Sequence, residues 1–80
     1  MGNKEAKRYA KERNRAFLSL DEKKIRAFCK KYGLPIPNGE LAFWAGVHKV
    51  VYHTTAATPE QRAASAKWLN ENGFSTDIRT

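Results

Sequence analysis

The sequence predicts an all-α protein, a small three- to four-helix domain with a basic N-terminal helix or arm. Three observations point to that class. Apolar residues recur at intervals of three and four through most of the chain, the spacing of one helix face. Start and stop signals bracket these stretches, most clearly Thr58-Pro59-Glu60-Gln61 at a start and Gly33 and Gly73 at stops. Lys and Arg crowd into the first two-fifths of the chain.

The first predicted helix runs from about Asn3 to Phe17. Ala6, Tyr9, Ala10, Ala16 and Phe17 form its apolar stripe, with Arg13 as an intruder. Lys4, Arg8, Lys11 and Arg15 fall along one edge, where like charges repel and leave the helix marginal in isolation. The second helix is expected over about Leu20 to Tyr32. Ser19-Leu20-Asp21-Glu22 fits a capping box with Ser19 as N-cap, and Lys30 and Lys31 suit the negative end of the helix dipole. Ile25, Phe28, Cys29 and Tyr32 form its apolar face, and Gly33 supplies the left-handed residue that ends it.

Pro35, Pro37 and Asn38-Gly39 make the next segment a loop, with Leu34 and Ile36 expected to pin it to the core. The third helix is expected over about Glu40 to Thr54. Leu41, Trp44, Ala45, His48, Val51 and Tyr52 form one stripe, and Phe43, Val47 and Val50 a second. A helix apolar on more than one side belongs at the centre of a domain. The β-branched and aromatic residues between Val47 and Thr55 also suit a strand. The fourth helix starts at the Thr58 capping box with Pro59 in the first position and ends near Asn72 before Gly73. Ala64, Trp68 and Leu69 are expected inside it, and Phe74 is placed for the hydrophobic contact of a Schellman ending. Beyond it lies a short tail in which only Ile78 is suited to docking. Two parts are therefore expected, a basic helix or arm over 1–17 and a compact helical domain over 18–80.

Composition narrows the function. With 80 residues, 41% hydrophobic and 29% charged, the chain reads as a soluble globular domain with a small core. The apolar stretch from Leu41 to Val47 falls far short of the ~20 residues of a bilayer span, and no apolar region follows the basic start, so neither a membrane partner nor a cleaved leader is expected. The single Cys29 excludes an intramolecular disulfide framework and a Cys-based zinc finger, and it is compatible with a reducing, cytoplasmic setting.

Catalytic constellations do not assemble. His48 and His53 are five residues apart, whereas a metal pair on one helix face needs a spacing of three or four, so no metal site is expected. Cys29 sits on an apolar face, where a small buried hydrophobe is the ordinary role. The glycines are isolated and form no phosphate cradle. Neither an enzymatic activity nor a cofactor is expected. A helix-turn-helix is conceivable across Thr55 to Thr58, with Gln61, Arg62 and Ser65 as readers, although a capping box and small residues explain the same positions.

Charge is the feature left over. Residues 1–32 hold eleven Lys and Arg against four Asp and Glu, while residues 33–80 are balanced, so the net charge of +7 belongs to the first segment. Lys4, Arg8, Lys11 and Arg15 span about 16 Å of helix, and Lys7 and Lys23 support them. Arg13, Lys24 and Arg26 widen the patch, and Tyr9 offers a ring for stacking. The expectation is a small non-catalytic protein whose basic region contacts nucleic acid, largely through the phosphate backbone, which needs positive charge and no sequence code. The competing expectation is a protein-binding adaptor or inhibitor, for example a phage or mobile-element protein that blocks a nucleic-acid-handling enzyme.

Overall fold

The computed structural model describes residues 2–76, with side chains from Ala6 onward. Four α-helices follow one another: α1 (Gly2–Leu18), α2 (Glu22–Lys31), α3 (Glu40–His53) and α4 (Pro59–Glu71). No strand occurs among the described residues, and the stretch from Val47 that suited one is helical through His53. None of the helices is long and apolar enough to cross a membrane. The chain divides into two units, Met1–Ile36 with α1 and α2, and Pro37–Thr80 with α3 and α4. Within these units α1 packs with α2 and α3 packs with α4.

In the first unit, α1 and α2 run antiparallel, so that Tyr9 meets Tyr32 and Phe17 meets Phe28. Four rings join them: Tyr9 lies 5.4 Å from Phe28 and 4.9 Å from Tyr32, and Phe28 lies 5.9 Å from Phe17 and 4.9 Å from Tyr32. Edge and tilted arrangements at these distances suit the aromatic quadrupole. Ile25, wholly buried, and Ala16, Phe17, Phe28 and Cys29 complete the apolar interior of these helices. Arg13, the charged intruder on the α1 stripe, directs Nε and Nη2 to Asn14 Oδ1 at 3.2 and 3.1 Å.

The entry to α2 corrects the expected cap. Asp21, not Ser19, is the N-cap, and its Oδ1 accepts from the Lys23 and Lys24 amides at 3.0 and 3.4 Å. The reason lies in α1, which continues to Leu18. Ser19 Oγ is drawn to its end, donating to the Ala16 carbonyl at 2.6 Å while accepting from the Asp21 amide at 3.1 Å. Leu20 takes up the reversal with φ 54°. At the other end, Gly33 (φ 66°) closes a Schellman motif, with Leu34 N–H donating to Cys29 O at 2.8 Å and Gly33 N–H to Lys30 O at 3.3 Å. Leu34 and Ile36 are half-buried after it.

In the second unit, α3 buries Phe43, Ala45, Val47 and Val51, drawing on both expected stripes. Leu41, expected inside, is 52% exposed, because it occupies the first turn, before the half-buried Trp44 that leads its stripe. Helix α4 begins as predicted: Thr58 Oγ1 accepts from the Gln61 amide at 3.1 Å and Gln61 Oε1 accepts from the Thr58 amide at 2.8 Å. It ends in a second Schellman motif, Phe74 N–H to Leu69 O at 2.8 Å and Gly73 N–H to Asn70 O at 3.2 Å, with the Phe74 ring stacked on Trp68 at 6.1 Å. The buried face of α4 is carried by Leu69 and Ser65. Ala64, expected inside, is exposed, since Ser65 and not Ala64 lies one turn before Leu69 on that face. The expected docking residue Ile78 lies outside the described residues.

Candidate nucleic-acid interface

The site is built on the side of α1 that the aromatic cluster leaves open. At 100° per residue, Tyr9, Arg13, Ala16 and Phe17 share one face, and Lys7, Lys11 and Arg15 lie roughly opposite, with Arg8 beside them. Side-chain burial follows that division: Ala16 and Phe17 are buried, whereas Lys7, Arg8, Lys11 and Arg15 are exposed. Lys7, Arg8, Lys11, Glu12 and Arg15 line a shallow groove of about 330 Å³ along the helix. Four of the six cationic positions anticipated from the sequence are thereby brought together. The side chain of Lys4 lies outside the described ones. Lys23 is exposed near the start of α2 and is not among the residues lining this groove.

Glu12 is the one carboxylate in this groove, and it is engaged across the hairpin. Lys31 Nζ donates to Glu12 Oε1 at 2.6 Å, and Tyr32 Oη donates to Glu12 Oε2. These two donors hold the Glu12 carboxyl below the usual carboxylate range, with Arg8 adding to the pull. The same bond to Glu12 raises Lys31 and Tyr32 above their ordinary values. Glu12 therefore stays ionised, and its charge is met by Lys31, leaving the rest of the face positive.

A second groove, also about 330 Å³, adjoins the first through Glu12 and Arg15 and is completed by Ala16, Lys24, Ala27, Phe28 and Lys31. It adds Lys24 and Lys31 of α2 to the basic face. Sequence reading placed Lys24 only at the margin and gave Lys31 only a dipole role. Their common side is visible in their seven-residue spacing, but which helix face meets α1 depends on the packing of the rings.

The second unit has its own polar cluster. Ser65, 2% exposed, shares a hydrogen bond of 2.9 Å with His48 Nδ1, and the His48 ring stacks on Trp68 at 4.6 Å. Burial holds His48 below the ordinary imidazole range. His48 is thus a packed histidine whose partner is a buried hydroxyl, and Ser65 is shut off from any substrate. Gln61 is held in its capping box, and Arg62 Nε donates to the Thr54 carbonyl at 3.2 Å, so all three side chains of the possible recognition helix have intramolecular partners. His53 is exposed and donates through Nε2 to the Thr76 carbonyl at 2.6 Å. Cys29 is buried, and burial raises its thiol pKa, which disfavours the thiolate. Among the described residues, no three of His, Cys, Asp and Glu come together in a way that could hold a metal ion.

No family model matches the chain, and neither a curated protein nor a solved structure matches it.

Proposed function

We propose that the protein is a small, non-catalytic nucleic-acid-binding protein that grips the phosphate backbone with the basic face of α1. The observation that carries this reading is the groove in which Lys7, Arg8, Lys11 and Arg15 converge while Glu12, the only carboxylate lining it among the described residues, is held by Lys31 and Tyr32. Residues 1–36 hold all of the net charge of +7, and the remainder is balanced. Phosphate contacts position a protein without reading sequence, so binding with little base preference follows. The buried thiol fits a reducing setting such as the cytoplasm.

Fluorescence anisotropy with labelled mixed-sequence DNA and RNA tests this. Four phosphates neutralised give a slope of log affinity on log salt of about −2.8 to −3.6, so affinity falls about 50- to 150-fold between about 50 and 200 mM salt. Lys11→Ala lowers the slope by about one unit. No binding to either nucleic acid at low salt refutes the reading and favours a protein partner.

A further inference from the structure

The two grooves differ in chemistry. The first is lined by four cations and Glu12 alone. The second has the exposed cations Arg15, Lys24 and Lys31 and the Lys31-paired carboxylate of Glu12 beside an apolar floor of Ala16, Ala27 and Phe28. Ala16 and Phe28 are buried between the helices, and Ala27 stands exposed beside them. A paired duplex presents its phosphates outward and keeps its bases stacked, so it meets the cations and leaves the floor empty. A single strand has unstacked bases beside its phosphates, which is the combination of charge and apolar surface that this groove complements.

The geometry points to single-stranded nucleic acid as the preferred ligand, with its backbone along the α1 groove and one base seated between α1 and α2 over Ala16, Ala27 and Phe28. This rests on the proposed phosphate-binding role of the same face. The strand crosses from one groove to the other at Arg15, which lines both. Glu12 also lines both, so the Glu12–Lys31 pair marks the point at which the path leaves α1 for α2. Arg15 and Lys24 hold the phosphates that flank the seated base, while Lys31 offsets the Glu12 carboxylate in the same groove.

The test compares three probes with the full chain at low salt: a labelled oligothymidylate of about 10 nucleotides, within the range of single-strand site sizes, a duplex of equal length, and an abasic strand with the same number of phosphates. The expected result is about tenfold tighter binding of the oligothymidylate than of the abasic strand, and weaker binding of the duplex than of the oligothymidylate. Ala27→Gln fills the groove without adding charge. Because Ala27 is exposed on α2, the variant keeps its helical circular dichroism. It loses the preference for oligothymidylate over the abasic strand. Equal binding of oligothymidylate and abasic strand, tighter binding of duplex, or an unchanged preference in Ala27→Gln overturns the seated base while leaving phosphate contact intact. Failure of all three probes to bind overturns both readings together.

Discussion

Leu20 holds a backbone angle, φ 54°, that leucine rarely adopts, and half of its surface remains exposed. The left-handed region costs a residue with a Cβ about 1–2 kcal/mol, and glycine avoids most of that while losing more entropy on folding. Leu20→Gly should therefore raise stability by about 0.5–1 kcal/mol, whereas Leu20→Ala, which keeps the Cβ, should not; chemical denaturation of the two variants measures the difference. His48 gives a prediction with a pH sign. Burial depresses its folded pKa, so the unfolded chain binds the proton more readily. Its contribution to stability is complete above the unfolded value of about 6.5 and is lost as pH falls through that value toward the folded one. Thermal midpoints at about pH 7.5 and 5.5 should fall in that direction, and His48→Gln should flatten this step. The packed role of His48 was legible from its place on the Trp44 and Tyr52 stripe. Its partner was not, because Ser65 lies seventeen positions away and nothing local marks a serine as buried.

At the scale of the element, local chemistry decided what could be read. The α4 cap was legible because every bond of the capping box lies within Thr58 to Gln61. The same reasoning chose Ser19 for α2 and failed, since α1 runs on to Leu18 and its end draws the Ser19 hydroxyl to Ala16, leaving Asp21 to cap. Asp21→Ala should then cost about 1 kcal/mol, read by the same denaturation experiment. Helix α3 carries a weakness of its own. Gly46 sits in its interior, exposed, with no atom within 4 Å of where a Cβ would stand. Gly46→Ala should stabilise the protein by about 1 kcal/mol by removing backbone freedom from the unfolded chain, and a lower or unchanged midpoint would contradict the open space described around it. Helical spacing read Lys4, Arg8, Lys11 and Arg15 as the basic edge of α1 with Lys7 in support; the groove gathers Lys7, Arg8, Lys11 and Arg15, and the side chain of Lys4 lies outside the described ones. Lys24 was read only as widening the patch and Lys31 only as complementing the helix dipole, because they join the face through tertiary packing, by the meeting of Tyr9 and Phe17 with Phe28.

Across the whole molecule, charge and packing divide along the same line. The unit Met1–Ile36 holds eleven Lys and Arg against four Asp and Glu, and Pro37–Thr80 holds four of each. Two explanations of polyanion binding then make different forecasts. If net charge alone attracts the ligand, where a charge is reversed matters little, because a diffuse field sums over the whole protein. If the grooved face binds phosphates, only reversals within it matter, since contact energies at moderate salt are confined to about a Debye length, roughly 8–10 Å. Lys11→Glu on α1 and Lys67→Glu on α4 separate the two, because both side chains are exposed and each change takes the net charge from +7 to +5. Lys11→Glu removes one phosphate contact and sets a carboxylate among Lys7, Arg8 and Arg15, so affinity for a mixed-sequence oligonucleotide should fall by at least about tenfold at 100 mM salt. Lys67→Glu removes only a long, exposed pairing with Glu71 at 4.0 Å and should leave affinity within about twofold. Equal losses in the two variants, measured by anisotropy at one salt concentration, would reduce the basic face to a diffuse charge and deprive its grooves of any part in binding.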